Sequence, residues 1–320
     1  MNEQKILITG SSGFLGCNLT SSLQQKGFSV IGLDICQPKF IKPNQFIQAD
    51  IRDESTLREL LKNYKPAAIF HLAAISTVQG GEENPKETFS VNFKGTCAIF
   101  DSVKAVKLQT KIFFASTDKV YGKLEGVDSY TEDLPLRPLL GSVYDCSKAA
   151  ADDFVRTCEN SVVLRFCNLY GSFDTNKTRV VPATILALLE GRLPVLNRYS
   201  DSTGAVYDFY RDMLYIEDLC ESLANLTVKT LTTGIEERVF NFGVEDPVSI
   251  KDLIFAIMKL LDFTRQPEIK IVSTAKELNY QSVNSSLAQK VLGFKPKTSL
   301  EQGLIQTIKW WKNFKLGDKK

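Results

Sequence analysis

Histidine is nearly missing from this chain. His71 is the one example in 320 residues, so a Ser-His-Asp relay or a His-ligated metal has almost no material to work with. Cysteine occurs seven times, an odd number, and never as Cys-x-x-Cys. That pattern excludes a zinc site or a disulfide framework from the expectation, leaves no bound metal in view, and fits a reducing, cytoplasmic setting. Long apolar runs are also absent. Residues 1–5 lead into a short strand without a signal-type hydrophobic region, so no membrane partner is expected. Charge of one sign is lacking too. Lys and Arg number 39 against 37 Asp and Glu, which leaves no basic tail for nucleic acid. No internal repeat or low-complexity segment is visible.

What is present is an ordinary globular composition, 43% hydrophobic and 24% charged, sufficient for one large core or a core with a smaller lobe. Residues 5–9 (KILIT) read as a buried strand that ends in Gly10-Ser-Ser-Gly13-Phe14-Leu15-Gly16. An amphipathic helix is predicted over 17–26, closed by Gly27, and a second strand over 28–33 ends at Asp34. Each part has a physical reason. Gly10 permits the tight turn, Gly13 lets backbone approach a pyrophosphate, and Gly16 lets helix pack close to strand. The free N–H groups at the helix start then face the phosphates. Asp34 suits the ribose hydroxyls of an adenosine and repels a 2′-phosphate, so the expected cofactor is NAD rather than NADP.

The alternation continues along the chain. Strands are expected at 45–48, 67–72, 111–115 and 162–166, with helices at 54–63, 85–107 and 151–159. This period makes an α/β fold with a doubly wound parallel sheet of the Rossmann type. From about residue 170 the texture changes to short strands near 193–196 and 206–210 and helices at 182–189, 217–226, 249–261, 287–292 and 300–315. A late sheet strand is expected at 239–242. The division is therefore an NAD-binding domain over 1–170, with late sheet elements near 205–245, and a smaller interleaved C-terminal lobe over 171–320 that mainly binds substrate. Ligands on such sheets sit at the carboxyl ends of strands, where Gly10–Gly16, Asp34, Leu72–Ala74 and 116–119 converge. His71 reads as a structural hydrogen-bonding residue, and Trp310 and Trp311 as packing on the last helix.

Tyr144-Asp145-Cys146-Ser147-Lys148 follows a Pro-rich loop and precedes an Ala-rich helical run. Tyrosine and lysine four apart lie on one helix face. A phenol has a pKa near ~10, and an ammonium beside it favours the phenolate. Such a pair can take a proton from a sugar hydroxyl while hydride leaves the same carbon.

With these motifs in order, nearly the whole chain resembles the extended short-chain dehydrogenase/reductases, the NAD-dependent epimerases and dehydratases of nucleotide sugars. The resemblance rests on Thr9 to Gly16, Asp50-Ile-Arg-Asp53, His71-Leu-Ala-Ala74, Val91-Asn92, Ser116-Thr-Asp-Lys-Val-Tyr-Gly122, Tyr144-x-x-x-Lys148, Leu164 to Gly171, Arg211-Asp212 and the closing segment from Leu292 to Trp311. It implies that Tyr144 is the active-site acid or base and that Lys148 holds the nicotinamide ribose and tunes Tyr144. It implies that Thr117 meets the substrate 4-hydroxyl, that Asp50 and Ile51 flank the adenine, and that Leu72, Ala73, Ala74 and Asn92 belong with Gly10, Gly13, Phe14, Leu15, Gly16 and Asp34 in the cofactor site. Asn168 and Arg211 address the substrate diphosphate.

The family's shared first step is oxidation at sugar C4, which makes the hydrogen on C5 acidic. Family dehydratases of dTDP-glucose carry Thr-Asp-Glu where this chain has Thr117-Asp118-Lys119. Asp-Lys resembles dehydratases of other nucleotide sugars, with Lys119 as base at C5 and Asp118 as acid toward the leaving hydroxyl. A nucleotide-sugar 4,6-dehydratase is therefore expected, with an epimerase, a C4 dehydrogenase, or a non-catalytic NAD-binding regulatory protein as alternatives. Asn284 stands where the family usually has aspartate. The resemblance also implies a homodimer joined through a four-helix bundle formed by 89–107 and 144–158.

Overall fold

Ile6, Leu7 and Ile8 have no exposed surface, as expected for a strand with helices on both faces of its sheet. The computed structural model describes residues 4–123, 128–272 and 278–317. Within them seven strands form the central sheet: β1 (Lys5–Thr9), β2 (Ser29–Asp34), β3 (Gln45–Gln48), β4 (Ala68–His71), β5 (Lys111–Thr117), β6 (Ser161–Phe166) and β7 (Val239–Phe242). Their order is β7-β6-β5-β4-β1-β2-β3, and every pairing is parallel. The chain reverses direction across the sheet between β1 and β4, which opens a crevice at the carboxyl ends of those two strands.

Two apolar layers cover the sheet. On one side Leu19 and Leu23 of helix Phe14–Gln25 share a core with Leu219, Leu223 and Leu226 of helix Ile216–Thr232. On the other, Leu57 and Leu61 of helix Glu54–Tyr64 meet Ile99 of helix Gly95–Ala105. Helices Val180–Leu189, Ile250–Leu260 and Leu300–Gly317 enclose a separate core around Ile185, Ile254, Leu304 and Trp311. Trp310 stacks on Phe314 with centroids 5.0 Å apart, so both tryptophans serve packing.

Several expected boundaries shift. The first helix begins at Phe14, because Gly13 itself is its N-cap. The helix carrying Tyr144 runs Val143–Thr157, not from 151. The Ser142 side chain accepts from Asp145 N and so starts it eight residues sooner. The single helix expected at 85–107 is divided into Pro85–Phe89, a π-helical turn at Ser90–Lys94 and Gly95–Ala105. A further short helix, Val78–Glu83, starts where Thr77 caps Gly80 N. The strands expected at 193–196 and 206–210 appear as Val195–Ser200, Val206–Asp208 and Tyr210–Arg211 in small peripheral sheets. Of the late segments near 205–245, β7 joins the central sheet. Met213–Tyr215 pairs instead with Asn168–Tyr170.

Candidate active site

A cavity of about 1280 Å³ opens along the crevice between β1 and β4. Its inner end is built on the glycine turn. Gly10 has φ +73°, and a Cβ there would lie 2.7 Å from Ala73 N. At Gly16 a Cβ would lie 2.2 Å from Gly10 O. A Cβ on Gly13 would have Gly10 O as its sole neighbour, at 3.3 Å, so this position stays open. Gly13 supplies no side-chain cap to the helix it begins. The first turn of that helix has no side-chain cap and its residues 13–16 line the cavity, so its free N–H groups offer the donor set a pyrophosphate needs. Asp34 sits at the tail of β2, where its carboxylate accepts from Ser12 N (3.0 Å) and Cys36 N (2.9 Å). A carboxylate has further lone pairs for ribose hydroxyls. Phe14, Leu15, Asp50, Ile51, Leu72, Ala73 and Ala74 all line the same cavity. The Asp50 carboxylate is held by Arg52 at 2.6 Å, and that guanidinium keeps it below the usual carboxylate range. These residues fit an adenine dinucleotide.

Asn92 is placed differently from the expectation. It is buried behind the wall, outside the cavity lining, and its amide is fully used. Its Oδ1 accepts from Ile75 N (2.8 Å), and its Nδ2 donates to Ile75 O (3.0 Å) and Ser147 Oγ (2.9 Å). It ties the Ile75 wall to the helix of Tyr144. His71 bridges Thr9 Oγ1 (2.8 Å) and Thr96 Oγ1 (3.0 Å). Burial and the Lys148 charge push it down to about 3, so it stays neutral and structural.

Midway along the cavity the tail of β5 meets the helix Val143–Thr157. Thr117, Asp118, Lys119, Tyr144 and Lys148 all line the wall here. Lys148 is 4% exposed, its Nζ donates to Ala115 O at 2.5 Å, and it lies 4.2 Å from the Phe114 ring centroid. Burial brings its ammonium down to about 7, with Asp152 pulling the other way. Tyr144 is pushed above the usual phenol range by burial and by Asp145, while Thr117 and Arg179 favour its phenolate. Lys148 places one of the three N–H donors of its ammonium on a backbone carbonyl, which leaves two for other partners.

Asp118 is 2% exposed and lies between Thr117 Oγ1, which donates at 3.1 Å, and Gln281 Nε2, which donates at 2.9 Å. Burial pushes this carboxyl up to about 6, against the pull of Lys119 and Arg211. Lys119 beside it is half-buried. An acid poised near neutrality next to a cation is suited to proton transfer.

The outer end of the cavity is cationic and apolar by turns. Asn168 Nδ2 is buried without a hydrogen-bond partner among the described residues, and Arg211 stands 7% exposed against the Phe209 ring. Arg179, also on the wall, pairs with Asp174 at 3.1 Å. Asp174 and Arg179 were missed from sequence because nothing in a polar loop marks which charges turn inward. Gln281 was missed because it arrives from a two-residue strand paired with Tyr210–Arg211. No cluster of His, Cys, Asp and Glu suited to a metal occurs among the described residues.

The sequence pattern of the NAD dependent epimerase/dehydratase family matches residues 6–243. UDP-glucuronate 4-epimerase 4 of Arabidopsis thaliana is 28% identical over 346 residues, covering 100% of this chain and 78% of that one. A dTDP-glucose 4,6-dehydratase of Xanthomonas campestris pv. campestris is also 28% identical, covering 95% and 92%. The crystal structure of dTDP-glucose 4,6-dehydratase from Bacillus anthracis in complex with NAD superimposes with a TM-score of 0.80 at 26% identity, over 97% of each chain. Sequence and fold agree over most of its length, and this protein belongs to the NAD-dependent epimerase/dehydratase family.

Proposed function

We propose that the protein is a nucleotide-sugar 4,6-dehydratase. The observation that carries this reading is Asp118: a buried carboxyl held near neutrality, on the cavity wall between Thr117 and Lys119. Residues 1–170 with β7 hold the dinucleotide, and residues 171–320 mainly hold the substrate. NAD, when bound along Gly10–Gly16 and Asp34, supplies the oxidant for C4. Tyr144 takes the proton of the 4-hydroxyl, which Thr117 orients. Lys148 fixes the nicotinamide ribose. Lys119 removes the C5 proton, and Asp118 protonates the departing C6 hydroxyl. Return of the hydride to C6 and of the Lys119 proton to C5 would then complete the loss of one water with no net oxidation, and exchange with solvent would reset Tyr144 and Asp118. Arg211 and Asn168, whose Nδ2 has no partner among the described residues, hold the diphosphate, a task for which arginine supplies a planar, permanently charged fork.

The test is a panel of CDP-, GDP-, UDP- and dTDP-hexoses. The expected product has lost one water and absorbs strongly in alkali, and Tyr144→Phe lowers turnover at least ~100-fold. Silence across the panel, or full activity in Tyr144→Phe, would overturn the reading. The relative named as a 4-epimerase supports a second outcome at the same site. Epimerisation conserves mass, a C4 dehydrogenase accumulates NADH, and a non-catalytic regulator binds NAD without turnover, so one sample analysed by mass and absorbance separates all four.

We further propose a cytoplasmic homodimer. All seven cysteines are free, and among the described residues no helix is long and apolar enough to cross a membrane. The neighbouring helical segments 85–105 and 143–157 carry Phe89, Phe93, Phe100 and Phe154 at or near the surface, an apolar row that a second copy would cover.

A further inference from the structure

The strand Tyr280–Gln281 runs parallel to Tyr210–Arg211, with Gln281 in register with Arg211. From there the Gln281 side chain reaches across to the tail of β5 and donates Nε2 to Asp118 Oδ2 at 2.9 Å. Gln281 has no exposed surface, yet its Oε1 has no hydrogen-bond partner among the described residues. An orphaned buried carbonyl is costly and is rarely retained without a reason. The reason is visible in the partner. An amide offers a donor on one end and an acceptor on the other. It satisfies a carboxylate through Nε2 and, after a half-turn about its last bond, a carboxylic acid through Oε1. A group that must gain and lose a proton in each turnover keeps a matched neighbour in both states if that neighbour can present either a donor or an acceptor, as the Gln281 amide on Oδ2 and the Thr117 hydroxyl on Oδ1 both can.

We infer that Gln281 is the positioning residue of Asp118, holding its carboxyl in the cavity through both protonation states. The inference rests on the role assigned to Asp118 above. The other charged or titratable groups acting on Asp118 are Lys119 next to it, Arg211 and Asp212 from the neighbouring strand region, Tyr144 from the helix opposite and Cys167 beyond β6. Arg211 offers donors alone and cannot follow Asp118 through both states.

Two variants separate positioning from packing. Gln281→Leu removes the donor and keeps apolar volume. Gln281→Glu is isosteric and folds in its protonated form, so it serves if the leucine variant is unstable. Asp118 is followed directly by difference infrared spectroscopy of protein labelled with 13C-aspartate, with Asp118→Asn identifying its carboxylic-acid band. In Gln281→Leu the midpoint of that band rises by about one pH unit or more, the effect of losing one charge-assisted donor. In Gln281→Glu it rises further, because a second carboxyl now faces the first. On a nucleotide sugar that turns over, both variants lower kcat at least ~10-fold with KM little changed, and the alkaline limb of the pH–rate profile moves up with the band. Midpoints that stay at the wild-type position in both variants, with thermal stability alone reduced, would overturn the inference. Because the infrared titration needs no substrate, shifted midpoints without turnover on any nucleotide sugar would uphold Gln281 and refute the proposed reaction. Turnover with unmoved midpoints would do the reverse.

Discussion

Single residues carry opposing demands in this site. Asp118 is charged in the unfolded chain above a pKa near ~4 but holds its proton up to about 6 when folded. A folded pKa raised above the unfolded value contributes stability that is complete below ~4 and is lost as pH rises through 6. Asp118→Asn removes this dependence. Its stability relative to wild type should therefore be little changed at pH 4 and higher by on the order of 2 kcal/mol at pH 8, measured by urea unfolding at both, while turnover is lost. The buried pair behind the site works in the opposite sense. Arg165 and Asp152 have no exposed side-chain surface and meet at 2.8 Å, and Ser116 and Tyr121 complete the network. Asp152→Leu leaves an unpaired buried guanidinium and should cost about 3–5 kcal/mol, more than the double change with Arg165→Met. Glycines divide the same way. Gly16→Ala drives a methyl into Gly10 O and should abolish NAD binding in a fluorescence titration. Gly27→Ala, at φ +84° with open space around it, should leave NAD binding intact and cost stability of about 1 kcal/mol.

At the level of elements, the strands and the first turn were legible because their signals are local. Buried runs such as Lys5–Thr9 and Ser161–Phe166 need no partner to be recognised, and glycines at 10, 13 and 16 between strand and helix have few other uses. What was not legible depends on contacts between distant segments. The π-helical turn at Ser90–Lys94 lets Asn92 reach both Ile75 and Ser147, and no period in 85–107 announces it. Asn92→Ala leaves buried groups of Ile75 and Ser147 unpaired. It should cost about 2 kcal/mol in unfolding and lower kcat, with little change in NAD affinity, since Asn92 stands behind the cavity wall. Gln281, Asp174 and Arg179 were hidden for the same reason: each lies on a loop or a two-residue strand whose side-chain direction is set by tertiary structure. The pairing of Tyr144 with Lys148 was legible as a shared face, but its electrostatics were not, because the carbonyl of Ala115 comes from another strand.

At the level of the whole molecule, light scattering after size exclusion should give the mass of two chains. Glutamate at both Phe89, which is 39% exposed, and Phe93 should shift it to one without loss of fold. The order of the central sheet has a consequence for biosynthesis. β7 covers the outer edge of β6, but about 70 residues of other structure are made between them. Asn241 on β7 also accepts from Tyr121 and donates to Tyr130 O, pinning the loop after β5. At ~5–20 residues per second, a ribosome would present six assembled strands with a bare edge for several seconds before the seventh emerged. The nascent chain is most exposed to wrong pairing in that interval, and a holding chaperone would act there.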